Sequence, residues 1–126
     1  MTLKEIIERL KLEVLSGQDK LNAEVSGGYT GDLLSDVIAN SKEGYLWITF
    51  QTHLNIIAVA KLKNLAGIIL VNSRKPEEET LKKAGEEGIP LLATGETAFK
   101  ISGKLFQLIS STWLAFSFSY KPRYSG

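Results

Sequence analysis

The 126-residue chain contains no cysteine and a single histidine, His53. Without thiols it cannot form disulfides, use a cysteine nucleophile, or hold cysteine-ligated zinc or an ordinary iron–sulfur cluster. One imidazole cannot form a histidine cluster either. We therefore expect no bound metal and no cofactor.

The sequence also lacks a strong net charge and a long apolar run. Fifteen basic and fourteen acidic side chains give a net charge of +1, which offers no global field for attracting nucleic acid. No apolar run approaches the ~20 residues of a membrane helix, and the amino terminus leads into an amphipathic pattern rather than a signal core. We expect a cytoplasmic protein that binds neither nucleic acid nor membranes. A hydrophobic content of 44% is typical of one globular domain.

The first third of the chain has short segments of different periodicity. A capping-box pattern at residues 2–5 predicts a first helix. Alternating apolar residues at 12–14 and 21–25, on either side of a turn, predict two short strands. A glycine-rich loop at 26–31 then leads to a helix from about Asp32, with an inward stripe of Leu33, Leu34, Val37 and Ile38.

Strand-like and helix-like segments alternate through the rest of the chain. The pairs are strand 45–50 with helix 54–62, strand 66–71 with a helix starting at Pro76, and strand 90–93 with a helix starting near Thr94. This order predicts βαβ units, and hence an α/β fold with a mainly parallel sheet and flanking helices. Helix 54–62 is apolar on nearly every side, so it is either sandwiched or at a subunit interface.

Residues 109–126 form an aromatic extension that is distinct from the α/β domain of residues 1–108. Phe116, Phe118 and Tyr120 alternate with serines, which is a strand pattern. Two alternatives follow. The extension either adds a strand to a sheet edge, including that of a second copy, or is a poorly ordered tail.

Polar residues follow several of the predicted strands. In a parallel sheet the loops after the strands emerge at one edge, so we expect them to converge there. The candidate ligand-binding residues are Gly27, Gly28, Tyr29, Gln51, Thr52, His53, Asn55, Ser73 and Arg74. Exposed backbone N–H groups and these donor side chains suit phosphate or carboxylate. Taken singly, the glycine pair also fits a tight turn and Thr52 fits a helix cap.

The sequence contains no complete catalytic constellation. His53 could act as a general base, but no nucleophile is predicted beside it, and a hydrogen bond to a ligand or carbonyl explains it as well. The glycine-rich segment lacks the lysine of a phosphate-binding P-loop and the spacing of the dinucleotide-binding motif. We therefore expect no catalytic residues and no enzyme activity.

Several segments together resemble the DRTGG domain. They are Glu24–Leu34, Trp47–Ile56, Gly67–Val71, Glu78–Leu81 and Gly88–Leu92, and the likeness covers approximately residues 1–108. Gly27 and Gly28 keep the glycines of the motif, whereas Glu24, Val25 and Ser26 stand where it has aspartate, arginine and threonine. The resemblance implies a fold similar to the N-terminal domain of HPr serine kinase/phosphorylase and, more distantly, to that of the Mur ligases.

DRTGG domains occur beside CBS domains in some pyrophosphatases and in front of some phosphotransacetylases. The resemblance therefore implies a regulatory module. Our first hypothesis is a non-catalytic, ligand-sensing domain that binds a small anion, such as a nucleotide or a phosphate-containing metabolite. The alternative is a structural module whose apolar 54–62 helix and aromatic extension form a homodimer or dock a partner enzyme.

Overall fold

The computed structural model describes the backbone of residues 1–116 and the side chains of residues 1–111. The elements, in chain order, are α1 (Leu3–Leu10), β1 (Glu13–Ser16), β2 (Gly27–Thr30), α2 (Leu34–Asn40), β3 (Tyr45–Thr49), α3 (Asn55–Leu62), β4 (Gly67–Leu70), α4 (Glu78–Glu87), β5 (Leu91–Ala93) and α5 (Ala98–Phe116). A short 3₁₀ turn at Gln18–Lys20 follows β1.

The five strands form one sheet in the order β1-β5-β4-β3-β2. Strands β2 to β5 are parallel, and β1 is antiparallel to β5. Three successive crossovers step across the sheet in one direction, and α2, α3 and α4 lie on the same face, as expected when such connections share one handedness. Helices α1 and α5 cover the other face. The predicted α/β fold with a mainly parallel sheet is confirmed.

The core lies on both faces of the sheet. Trp47, Ile68 and Leu70 pack beneath α2, α3 and α4. Ile48 and Ile69, their neighbours in the strands, point the opposite way and pack beneath α1 and α5. All of these residues are at most 1% exposed. Burial on both faces explains why the predicted strand 66–71 is continuously apolar rather than alternating.

The amino-terminal region matches the sequence prediction only in part. The predicted capping box between Thr2 and Glu5 is present, and α1 follows it. The predicted strand at 21–25 is wrong. Apart from an isolated bridge between Glu24 and Thr2, this segment is irregular. It runs along the start of α1, where backbone hydrogen bonds such as Val25 N to the Met1 carbonyl satisfy its polar groups.

Helix α2 starts at Leu34 rather than Asp32, and its predicted inward stripe is only partly correct. Val37 is fully buried, but Leu33 is 68% exposed and Ile38 is 39% exposed. The reason is position, because α2 lies at one end of the sheet and has α3 as its helical neighbour. Only the side of α2 that faces the sheet and α3 is covered.

Helix α3 lies between α2 and α4. It buries Ile56, Ile57, Val59 and Ala60 and leaves Leu54 and Leu62 exposed. Helix α5 buries the predicted Ile101 and Leu105 and continues through residue 108 to Phe116. The rest of the predicted strand at 116–120 lies outside the described residues.

Candidate functional site

Strands β2 to β5 end at the same edge of the sheet, which we call the carboxyl edge. The predicted residues that follow β3 and β4 lie at this edge; they are Gln51, Thr52, His53, Asn55, Ser73 and Arg74. Because β3 and β4 are adjacent, the two loops are neighbours. The structure thus brings these residues to one side of the molecule.

The predicted glycine-rich loop is wrong, because Gly27, Gly28 and Tyr29 are part of strand β2. Gly27 pairs with Tyr45, the first residue of β3, so it lies at the opposite end of the strands from His53. A Cβ atom on Gly27 would lie 2.6 Å from the Tyr45 ring, and one on Gly28 would lie 3.0 Å from the Leu105 side chain. The glycines allow close packing here and do not join the carboxyl edge.

Tyr29 is engaged within the fold. Its hydroxyl donates a hydrogen bond to Asp36 Oδ2 on α2. This hydrogen bond, assisted by partial burial, raises the pKa of Tyr29 from 10.0 to about 12, because the phenolate would face a carboxylate. Tyr29 therefore ties the edge strand to its covering helix.

The Tyr29 pKa predicts a loss of stability at alkaline pH. Between pH 10 and about 12 the unfolded chain releases the phenolic proton while the folded chain keeps it, so the free energy of unfolding falls as pH rises through this window. Urea unfolding across this range, with absorbance titration of the phenolate, measures the effect. Tyr29→Phe should have a shallower pH dependence than the wild type, and an identical dependence would contradict the assignment.

Asp32 organises the loop after β2. Its Oδ1 accepts hydrogen bonds from Thr49 Oγ1 and from the backbone N–H of Phe50, both at 2.7 Å. The side-chain amide of Gln51 donates to the Asp32 carbonyl at 2.8 Å. Because these groups satisfy one another, Gln51 acts as a structural link between the β2 and β3 loops.

Thr52 and His53 connect the β3 loop to α4. The Thr52 carbonyl accepts hydrogen bonds from Thr80 Oγ1 at 2.8 Å and from the Glu77 N–H at 3.3 Å. His53 Nδ1 lies 2.6 Å from Glu77 Oε2. The residue that precedes α3 is Leu54, so Thr52 is not the helix cap.

His53 and Asn55 line a groove between α3 and α4 with a cavity of about 660 Å³. Leu54, Ile57 and Ala58 supply its apolar floor. Glu87 also lines the groove, and it is paired with Lys61 at 2.6 Å and Lys83 at 3.2 Å. These two lysines lower the pKa of Glu87 by hydrogen bonding to its carboxylate.

Ser73 and Arg74 line a second cavity, of about 490 Å³, at the carboxyl edge. We call it the basic cavity. Its lining residues are Lys11, Glu13, Leu15, Ser73, Arg74, Lys75, Pro76, Leu81, Ala93, Thr94 and Gly95. Leu81, predicted to face inward on α4, is 38% exposed because it lines this opening.

The loop that carries Arg74 has an unusual backbone. Asn72 and Ser73 are consecutive non-glycine residues with φ of 56°, a region that L-residues rarely occupy. Hydrogen bonds from Ser73 N to the Thr94 carbonyl and from Asn72 N to the Glu96 carbonyl hold the loop against the end of β5. Backbone strain of this kind is typical of functional loops that the surrounding structure fixes in place.

Arg74 has a defined position in this loop. Its guanidinium carbon lies 5.4 Å from the centre of the Phe50 ring, within the range of a cation–π contact. Phe50 is the residue after β3 and is 37% exposed. The contact holds the charge of Arg74 at the boundary between the β3 and β4 loops.

Sequence reasoning missed the contribution of the amino-terminal region to the basic cavity. Lys11 is the left-handed residue that ends α1, and Glu13 starts β1. Because β1 is antiparallel to β5, its first residue pairs with Ala93 at the carboxyl edge. Nothing in the local sequence identifies β5 as the partner of β1. Lys75 is next to Arg74 and could have been found by extending the predicted loop by one residue.

The described residues contain no group of three or more histidine, cysteine, aspartate or glutamate side chains placed to hold a metal ion. No helix among them has the length and hydrophobicity needed to span a membrane.

Comparison with known proteins identifies a solved structure with a similar fold. No family model and no curated protein matches the chain. Among solved structures, the chain is similar to the "CBS and DRTGG domains of the regulatory region of Clostridium perfringens pyrophosphatase complexed with activator, diadenosine tetraphosphate", with a TM-score of 0.67 and 17% sequence identity. The match covers 87% of this chain and 46% of that chain, so this chain spans less than half of its neighbour. The predicted DRTGG-like α/β fold is confirmed.

Proposed function

We propose that this chain is a non-catalytic regulatory module that binds a small anionic ligand in the basic cavity. The observation that carries the proposal is charge: the residues that line the cavity include Lys11, Arg74 and Lys75 and one acidic residue, Glu13. Three cationic side chains against one carboxylate leave two positive charges in excess. A phosphate monoester, which carries close to two negative charges at neutral pH, matches this excess.

Side chains rather than a helix terminus supply the positive charge. Helix α4 begins beside the cavity, but its first turn carries Glu78 and Glu79, which oppose an anion there. Arg74 can hold two phosphate oxygens at once through its planar guanidinium, and a lysine contributes a point charge. Of the residues predicted from sequence, the proposal therefore uses Ser73 and Arg74.

The volume and the apolar lining of the cavity suit a ligand larger than a free phosphate ion. A volume of about 490 Å³ lies within the ~300–1,000 Å³ of small-molecule sites. Leu15, Pro76, Leu81 and Ala93 provide apolar lining in addition to the charged residues. A nucleotide or another phosphorylated metabolite with an apolar portion can contact both the charged and the apolar lining residues.

The solved structure that this chain resembles supports a regulatory role. That protein fragment is the regulatory region of a pyrophosphatase, and it was determined with an activating nucleotide. The shared fold supports ligand sensing as a role for this chain, with the basic cavity as the proposed site.

The non-catalytic assignment rests on the placement of His53. This imidazole is the side chain of the chain best suited to general base catalysis near neutral pH. It is paired with Glu77 in the groove between α3 and α4, and it does not line the basic cavity. A ligand in the cavity would thus meet three basic residues, the acidic Glu13 and hydroxyl donors such as Ser73, with no imidazole among them.

Thermal unfolding with added ligand tests the proposal. We expect AMP, ATP, diadenosine tetraphosphate or acetyl phosphate to raise the free energy of unfolding, by ~2.7 kcal/mol at 100 times the dissociation constant. Arg74→Ala removes a charge-assisted contact of ~1.5–3 kcal/mol, so it should weaken the binding of the responding ligand roughly ten- to hundredfold.

Lys100→Ala is the matched control, because Lys100 is an exposed cation on α5, on the opposite face of the sheet from α4. It should bind as the wild type does. A lack of any ligand-induced shift, or equal affinity of the Arg74→Ala and wild-type proteins, would reject the basic cavity as the site.

A further inference from the structure

Strand β2 ends the sheet with an open edge. It pairs with β3 on one side, and no strand among the described residues pairs with its other side. Edge strands are normally blocked by proline, by charged side chains or by a bulge. Gly27–Thr30 contains no proline and no charged residue, and its register with β3 is regular. Within the described part of the chain, the outer backbone N–H and C=O groups of β2 are therefore available for a further strand.

Helix α5 presents exposed aromatic residues beside this edge. It packs on β2, where Leu105 contacts Gly28 and Ser102 Oγ lies 2.7 Å from Thr30 Oγ1. Phe99 and Phe106, two helical turns apart on one side of α5, are 89% and 73% exposed. A groove of about 370 Å³ runs between Phe106 and the open edge.

We propose that the outer edge of β2 and the adjacent side of α5 form an interface with a second copy of this chain. The two β2 strands would pair antiparallel across a two-fold axis, and the two α5 helices would meet beside them. The sheet would then continue from one copy into the other.

The charge of the surface favours a second copy. A two-fold interface brings each surface patch against the same patch of the other copy, so a charged patch would repel itself. The described residues that line the groove between β2 and α5 carry no charged side chain. Lys104, on another side of α5, is engaged with Glu96 at 2.6 Å. A neutral, partly aromatic surface is complementary to itself.

The phenylalanines also favour a second copy over a single bound peptide. A peptide added to β2 would gain few hydrogen bonds from a strand of four residues and would not cover α5. A second copy brings its own α5, so Phe99 and Phe106 of both copies become buried. At roughly 150–250 Å² each, four phenylalanines supply roughly 600–1,000 Å² of contact. A stable interface needs about 1,200–2,000 Å², and the strand edges and the other described groove residues of α5, such as Ile109 and Ser110, add to this area.

Measurement of the solution mass by light scattering or sedimentation tests the interface. We expect the full chain to have twice its single-chain mass of 13.9 kDa. Phe106→Glu should raise the dimer dissociation constant at least tenfold, because it places two carboxylates at the two-fold interface. The matched control is Leu62→Glu on α3, where Leu62 is 67% exposed, and it should leave the mass unchanged.

Thr30→Lys provides an independent variant, since a lysine on an open edge strand opposes strand pairing. It should also dissociate the dimer, and circular dichroism should show that each variant is folded. If Phe106→Glu does not fold, Thr30→Lys decides. A wild-type chain that is monomeric at every concentration overturns the proposal, and so does a dimer that Leu62→Glu dissociates and these two variants do not.

Discussion

Replacing Gly17 by alanine is expected to destabilise the fold by about 2–5 kcal/mol. Gly17 has φ of 78°, in the left-handed region where a side chain is strained. An added Cβ atom would also lie 2.5 Å from the backbone N and Cα of Pro90 and 2.8 Å from the carbonyl carbon of Ile89. These are main-chain atoms at the entry to β5, so the clash cannot be relieved by rotating a side chain.

The close approach at Gly17 follows from the pairing of β1 with β5. Ser16 ends β1 and is buried, and its hydroxyl donates a hydrogen bond to the Ile89 carbonyl at 2.8 Å. This bond holds the next residue, Gly17, directly against Pro90. The substitution would therefore separate β1 from β5 or force the chain to shift at the edge of the sheet.

Urea unfolding of Gly17→Ala and the wild type measures the effect. Gly85→Ala is the matched control, because its Cβ would meet no described atom within 4 Å and it lies inside α4. Alanine should stabilise that helix by about 0.5–1 kcal/mol. If Gly17→Ala is as stable as Gly85→Ala, neither the left-handed backbone nor the contact with Pro90 constrains residue 17.

The fold could be predicted from the sequence where the residue pattern of a segment indicates how that segment is buried. The continuous apolar run 66–71 predicts a strand that is buried on both faces, and β4 is one. The glycine pair at 27–28 is less informative, because two glycines suit both a turn and a strand that lies close to a helix. Only the contact of Gly28 with Leu105, which is distant in the chain, distinguishes the two.

The candidate site could likewise be predicted only in part, where its residues follow a strand that the sequence identifies. Ser73 and Arg74 follow a strand that the sequence identifies, so their place at the carboxyl edge follows from the parallel sheet. Lys11 and Glu13 reach the same edge through the antiparallel pairing of β1 with β5. That pairing depends on which strand lies at the open side of β5, and this is decided by the packing of the whole sheet rather than by residues near Lys11.

Replacing Trp47 by alanine is expected to destabilise the fold by about 3–5 kcal/mol. Trp47 is fully buried in the centre of β3, among residues from α2, α3 and β4. Removal of the indole leaves a cavity that the surrounding helices cannot fully close. Its indole N–H also donates to the Gly31 carbonyl at 2.8 Å, and this hydrogen bond fixes the loop after β2.

Trp47→Phe separates the two contributions of the indole. Phenylalanine fills most of the space but leaves the Gly31 carbonyl without its donor, which costs ~1–3 kcal/mol where the group stays buried. Urea unfolding followed by circular dichroism measures both variants, and Leu62→Ala, at a 67% exposed position on α3, should stay within about 0.5 kcal/mol of the wild type. If Trp47→Phe is as destabilising as Trp47→Ala, the hydrogen bond to Gly31 rather than the packing of the ring dominates. A Trp47→Ala protein as stable as the wild type would mean that the helical layer over β3 does not depend on this side chain.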